Sequence, residues 1–138
     1  MTDNHNLQRF VTAQENVWPT ALAELKRGRK TSHWMWFIFP QIAGLGHSAM
    51  AQHYAIASAA EARAYLAHPV LGSRLIEATK TVTAASGSAQ AIMGSIDATK
   101  LRSSMTLFAE VADEPAPFEA ALARFFGSAR DPETLRRL

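Results

Sequence analysis

Two stretches of this chain carry side chains whose types and spacing could do chemistry. The first runs Ser32-His33-Trp34-Met35-Trp36-Phe37-Ile38-Phe39-Pro40-Gln41 and is followed by Gly44-Leu45-Gly46. Aromatic rings bury large areas, so a core element would use Trp34, Trp36 and their neighbours whatever the protein does. Packing alone accounts less well for His33, Gln41 and the two glycines. Buried polar side chains need partners, and paired glycines let a backbone turn tightly or approach a ligand. Two readings therefore stand: a core element, or a core element that also walls a pocket, with polar groups at its rim.

The second stretch is Asp97-Ala98-Thr99-Lys100-Leu101-Arg102-Ser103-Ser104. At helical spacing Asp97, Lys100 and Ser104 share a face. Asp97 reads as an N-cap, and the free N–H groups behind it suit an anion. Lys100 adds a cation one turn later, while Ser104 falls on the apolar side as a buried hydroxyl. A Lys within reach of a Ser is the make-up of a Ser–Lys nucleophile pair, although this spacing arises by chance in most helical proteins. The plainer reading is a capping Asp97 and a surface Lys100. Together the two stretches predict a shared cleft for an anionic, partly aromatic small molecule such as a nucleotide or sugar phosphate. Trp34 or Trp36 would stack the base, Lys100 and the helix start would hold phosphate, and His33 or Asp97 would move protons. Whether such a protein is an enzyme or a binder stays open, and the alternative is a non-enzymatic interaction module with an apolar groove.

Several chemistries have no support. Cysteine is absent, which removes thiol catalysis and thiolate metal sites. His33, His47, His53 and His68 lack the helical pairing of a zinc site, so no metal is expected. No phosphate loop, dinucleotide fingerprint or nucleophile elbow occurs, and no cofactor is implied. The longest dense apolar run, 34–39, is far short of the ~18 residues of a membrane span. Residues 1–6 are polar and lack a signal-peptide pattern. The expectation is a soluble cytoplasmic protein with no membrane partner. Fourteen Lys and Arg against twelve Asp and Glu give a net charge of only +2. Lys26, Arg27, Arg29 and Lys30 do cluster, as a phosphate grip or as a solvated helix end. Without a recognition motif the 26–30 cluster supports at most weak, non-specific nucleic-acid binding. Nothing in the sequence speaks to oligomeric state.

The elements that must position these groups read as helices. The length of 138 residues suits one domain. Leu7, Phe10, Val11 and Gln14 follow a helical rhythm, and Pro19 opens a second helix that ends near Gly28. Ser58 and Glu61 have capping-box spacing, His68-Pro69 breaks that helix, and Leu71, Leu75, Ile76 and Thr79 line the next one as far as Ser86-Gly87-Ser88. A strong helix carries Leu101, Met105 and Phe108 behind Asp97. Phe118, Leu122, Phe125 and Phe126 form another, closed by Gly127, and Asp131-Pro132-Glu133 opens a last short one. The aromatic run 34–39 is too short for periodicity to decide, and a short buried helix is favoured over a strand. The prediction is a compact all-α bundle of about seven or eight helices, with Trp34, Phe37, Phe39, Leu71, Leu101, Met105, Phe108 and Phe125 in the core.

One resemblance covers nearly the whole chain. It rests on Leu7-Gln8-Arg9-Phe10, on residues 33–41 with Gly44-Leu45-Gly46-His47-Ser48 and Tyr54, and on Glu61-Ala62, Tyr65-Leu66 and His68-Pro69. It continues through Asp97, residues 100–108, Phe125-Phe126-Gly127 and Asp131. On these residues the chain resembles the bacterial domain-of-unknown-function family 1810. That resemblance implies an all-α fold and brings no activity with it. The calpastatin-like label sometimes given to the family does not suit a chain that is 48% hydrophobic. With the long aromatic motif, His47 and Tyr54 join Trp34, Trp36 and Gln41 as ligand-binding candidates, beside His33, Asp97, Lys100 and Ser104 as catalytic ones. The order Tyr54, Glu61-Ala62, Lys100-Leu101, Asp131 is also loosely similar to that of small helical proteins acting on ADP-ribose and related N-glycosides. This second resemblance implies polar residues on helices around a nucleotide pocket.

Overall fold

The structure is a computed structural model that describes residues 4–138. Residues 1–3, the start of the polar stretch at the N-terminus, lie outside the described residues. Among the described residues ten helices follow one another: α1 (Gln8–Gln14), α2 (Trp18–Lys26), α3 (Met35–Ile38), α4 (Ala49–His53), α5 (Ala59–Ala67), α6 (Leu71–Ala84), α7 (Ala89–Met93), α8 (Ser95–Val111), α9 (Ala116–Phe126) and α10 (Pro132–Arg137). The fold is all-α, and the only β feature among the described residues is one isolated parallel bridge between Ile42 and Ile56. Helices outnumber the expected seven or eight because α4 and α7 have five residues each, too few to show a period. Each is announced instead by a serine cap. Ser48 Oγ accepts from the Ala51 amide and Ser88 Oγ from the Ala91 amide. The aromatic run 34–39 does contain a helix, the single turn α3.

α8 is the central element. Residues 103–109 are buried without a break, which an amphipathic surface helix cannot show, and α5, α7, α9 and α10 pack around it. Its start differs from the sequence expectation. α8 begins at Ser95, Gly94 holds the N-cap at φ +87°, and Asp97 lies in the first turn. Glycine tolerates this left-handed backbone, which lets the chain pass from α7 directly into α8. Asp97 is thereby freed from capping and turns to two lysines.

Two further expectations need correction. Phe125 is only half-buried against the core, because the last turn of α9 turns its aromatic pair toward the rim. The capping box at α5 closes by half: Ser58 Oγ accepts from the Glu61 amide, whereas the Glu61 carboxylate reaches past Ser58 to the Ala57 amide and to Arg9. At the α5–α6 junction Gly72 is mandatory for space, since a Cβ there would lie 2.1 Å from the Leu66 carbonyl oxygen.

Residues 28–58 contain little regular structure, so their backbone polar groups need other partners. Three side chains from α1 and α2 supply them. Arg9 donates to the carbonyls of His5, Asn6, His53 and Ala55 and pairs with Glu61 at 2.8 Å. Gln14 donates to the Phe37 carbonyl and the Tyr65 hydroxyl, and accepts from Arg74. Glu24, only 2% exposed, accepts from the amides of Thr31 and Ser32, the Ser32 hydroxyl and the Trp34 indole N–H. Burial pushes the Glu24 carboxyl up, and these donors more than reverse it, holding the group at about 2 against an ordinary 4.5.

Two predictions follow from this packing. Phe108 is fully buried, its ring 5.5 Å from that of Tyr65 and 5.8 Å from that of Phe118. Phe108→Ala should cost about 3–5 kcal/mol through lost transfer energy and a cavity, read as a lower denaturation midpoint in urea. Glu24 binds its proton more weakly folded than unfolded, so its contribution is complete above pH 4.5 and disappears as pH falls toward 2. A difference of that size is worth about 3 kcal/mol. Glu24→Gln should therefore destabilise clearly at neutral pH, and the gap from wild type should close by about pH 2–3. A gap that stays constant with pH would show that the carboxylate charge contributes nothing.

Candidate functional site

The four-residue helix α3 splits the two tryptophans. Trp34 is fully buried, tied by its indole N–H to Glu24 and roofed by the Lys30 ammonium 4.9 Å from its ring. It is a core residue and offers no face to a ligand, contrary to the stacking role expected of it. Trp36 lies two residues on, half-buried, with Lys100 Nζ 5.3 Å from its ring. The stacking candidate is therefore Trp36 alone.

The first turn of α8 faces this segment. Lys30 reaches it because its backbone amide donates to the Ile92 carbonyl at 2.7 Å. Lys30 Nζ then lies 2.8 Å from Asp97 Oδ2, with the Lys30 side chain 6% exposed and that of Asp97 19%. The same ammonium donates to the Ser32 carbonyl. Lys100 Nζ is farther from the carboxylate, 3.8 Å from Oδ1, and its side chain is 24% exposed. Asp97 therefore lies between two cations but is bonded closely to only one of them.

Three adjoining concavities meet at Lys100. The inner one, about 150 Å³, is walled by Trp36, Phe39, Gln41, Gly44, Gly46 and Tyr54 among others. The second, about 490 Å³, is bordered by Lys30, His33, Trp36, the stretch from Met93 to Asp97, and Lys100. The third, about 410 Å³, lies between Gln41, Leu45, Thr99, Ser103, the α10 cap Asp131 and the α10 residue Glu133. Trp36 is common to the first two, Gln41 and Gly46 to the first and third, and Ile96 to the second and third. The expected juxtaposition of the aromatic segment with the α8 start is present: His33 and Gln41 each share a concavity with Lys100.

Gln41 is held there by its backbone, whose carbonyl accepts from the Ile56 amide beside the bridge of Ile42 and Ile56. Tyr54 packs against the rings of Phe10 and Phe37 and shows its remaining surface to the inner concavity. Ser104 is not part of the site. It is fully buried, its hydroxyl has no hydrogen-bond partner among the described residues, and it borders none of the three concavities. The helical phase explains this: Ser103 faces the third concavity, and the next residue turns into the core. With Ser104 out of reach, the Ser–Lys nucleophile pair is withdrawn. His47 is exposed and also borders none of the three; its backbone carbonyl accepts from Gln52.

The sequence does not single out Lys30, Ile96 or Glu133 as cleft residues, and it offers Asp131 only through a loose resemblance. In the sequence Lys30 reads as one of a basic cluster, a phosphate grip or a solvated helix end, and Asp131 as a helix start that also closes the loose resemblance to proteins acting on ADP-ribose. A signal was available for Ile96: an apolar residue in the exposed first turn of a helix has no packing reason, and it is 75% exposed. The basic cluster itself has a plain explanation once Lys30 leaves it. Lys26 shares a shallow depression with Lys80 and Ala85, and Arg124 donates to the carbonyls of Ala85 and Gly87. These cations sit where the C-terminal ends of α2, α6 and α9 meet, which are the negative ends of their helix dipoles. Among the described residues no group of three or more His, Asp or Glu could hold a metal ion, and no helix is long and apolar enough to cross a membrane.

Comparison with known proteins agrees with the fold and is silent on the chemistry. The crystal structure of the conserved hypothetical protein Rv1873 from Mycobacterium tuberculosis superposes with a TM-score of 0.97 at 47% sequence identity, covering 99% of this chain and 98% of that one. None of the curated proteins matches. The family described as "Protein of unknown function (DUF1810)" matches residues 4–138, which include every helix described above, and the chain belongs to that family.

Proposed function

We propose that the protein binds a small anionic molecule bearing a planar ring, of the nucleotide or sugar-phosphate class, in the cleft between residues 33–41 and α8. The observation that carries this reading is the charge state around Lys100. Two lysines and one carboxylate leave a net positive charge, and the 2.8 Å contact commits Asp97 to Lys30. The charge left without a close partner is that of Lys100, which borders all three concavities. A cation partly shielded from water attracts an anion more strongly than a solvated one does. The backbone N–H groups of the first turn of α8 add partial positive charge on the same side.

Trp36 supplies the aromatic half of the site. In the free protein the Lys100 ammonium rests near its ring, an interaction worth about 0.5–1 kcal/mol. A phosphate that draws Lys100 away loses little and uncovers the indole face for a ring. Gln41 borders the inner concavity and its side-chain amide has no hydrogen-bond partner among the described residues, so it is free to read polar edges of that ring. If the bound molecule is also a substrate, His33 and Asp97 are the titratable groups placed to move a proton.

One observation favours a second reading. Ile96, 75% exposed at the mouth of the cleft, is the kind of apolar contact that a protein partner would cover. The two readings separate in a thermal-shift and calorimetric titration with AMP, ADP and ribose 5-phosphate. Binding should raise the melting temperature of the wild-type protein. Lys100→Ala should weaken binding about 10- to 100-fold through loss of a charge-assisted hydrogen bond, with the unliganded melting temperature nearly unchanged. No shift with any of the three ligands, or equal binding by the variant, would overturn the small-molecule reading in favour of the interaction module.

A further inference from the structure

We propose that the third concavity, between α8 and α10, is a hydroxyl-binding subsite of the same cleft, in which Asp131 accepts hydrogen bonds from a vicinal diol. This rests on the reading of Lys100 as the partner of the ligand's anionic group. It narrows the ligand to a phosphate ester of a ribose-like sugar with its diol free.

The argument begins with the two oxygens of Asp131. Oδ2 accepts from the Thr134 amide at 3.2 Å, the Thr134 hydroxyl at 2.6 Å and the Ser103 hydroxyl at 3.1 Å. Those bonds cap α10 and join it to α8. Oδ1 takes no hydrogen bond among the described residues, although the residue is half-buried and borders the concavity. Capping α10 thus uses a single oxygen and leaves an ionised acceptor with capacity to spare.

The second step is charge. Glu133 also borders this concavity but is paired with Arg136 at 2.7 Å, on the same helix. That leaves Asp131 as the carboxylate on this wall without an ion pair among the described residues, while Lys100 is the cation assigned to the ligand's anionic group. A bound cation would meet Lys100 and a bound anion would meet Asp131, whereas neutral hydroxyl groups meet neither penalty. Hydroxyls also match the rest of the lining. Thr99 donates its own hydroxyl to the Ser95 carbonyl, and Ser103 gives its hydroxyl to Asp131, so both present acceptor lone pairs. Gln41 and Gly46 border this concavity as well as the inner one, and Lys100 borders all three, so one short molecule can span them. Its phosphate lies at Lys100, its ring beside Trp36 and its sugar hydroxyls at Asp131.

The test compares AMP with 2′,3′-dideoxyadenosine 5′-monophosphate, which keeps ring and phosphate and lacks the diol. Calorimetry is run on the wild-type protein and on Asp131→Asn. Asn is as good an N-cap as Asp, so the helix should persist, and the unliganded melting temperature checks that it does. The wild type should bind AMP about 10-fold or more tighter than the dideoxy analogue, the ratio expected for hydrogen bonds to a charged acceptor. Asp131→Asn should bring AMP down to the level of the analogue and leave the analogue unchanged. Equal wild-type binding of both ligands would overturn the diol subsite while the anion site stood. An equal loss of both in Asp131→Asn would make Asp131 a cap alone, and no binding of either would remove the whole cleft reading. Should the variant fail to fold, the wild-type comparison still decides the diol subsite.

Discussion

The Glu24 carboxylate is the point on which the geometry of this molecule turns. It sits at the end of α2, almost fully buried, and gathers two backbone amides, a hydroxyl and an indole N–H from residues 31–34. An ionised group in that position is costly unless every lone pair is used, and here the donors more than offset the burial. The consequence reaches beyond stability. Fixing Thr31, Ser32 and Trp34 fixes where α3 starts, and α3 has too few residues to hold itself in place. Because Trp34 is turned inward by its bond to Glu24, Trp36 is turned toward the cleft. Next to the clamped residues, the Lys30 amide is tied to the Ile92 carbonyl, which sets Lys30 in front of Asp97.

A similar logic governs the rest of the irregular region. Arg9 and Gln14 act on residues 37, 53 and 55 as Glu24 acts on residues 31–34: a side chain from a regular helix satisfies the backbone of a segment that cannot satisfy itself. This wall of the cleft is therefore held by hydrogen bonds from side chains rather than by secondary structure. The other wall is the first turn of α8. Its deeply buried middle anchors it to the core, while its start projects Ile96, Asp97 and Lys100 outward.

The pairing of charges in the cleft is asymmetric. Lys30 and Lys100 flank the same carboxylate, but one is buried in a short ion pair and the other lies on an aromatic face at longer range. A buried pair contributes little net stability, because desolvation consumes most of its attraction. What it does here is hold Asp97 Oδ2 at 2.8 Å from Lys30, with Lys100 at 3.8 Å from Oδ1. The relative from Mycobacterium tuberculosis shares this fold at 47% identity; comparison of its residues around the cleft would show which of these charges the family retains.

Much of the architecture was legible in the chain itself. The helices α5, α6, α8 and α9 announce themselves through their period, α5 also by its Ser58 cap and α9 by Gly127, whereas α4 and α7, five residues each, are too short to show one. The sequence by itself also determined that an aromatic segment with unexplained polar groups and a helix start rich in polar groups had to be accommodated. It placed Trp34 in the core and Ser104 on the apolar side, as the structure has them, yet both also stood as site candidates, because which side of an element meets a cleft depends on what that element packs against. It could not assign Lys30 to Asp97 or place Asp131 and Lys100 on one concavity, since those juxtapositions span tens of residues and have no local signature. Local preferences act over a few residues and write elements into the sequence. A cleft is made of groups distant along the chain, and only the packing of α8 against its neighbours decided which of them face one another.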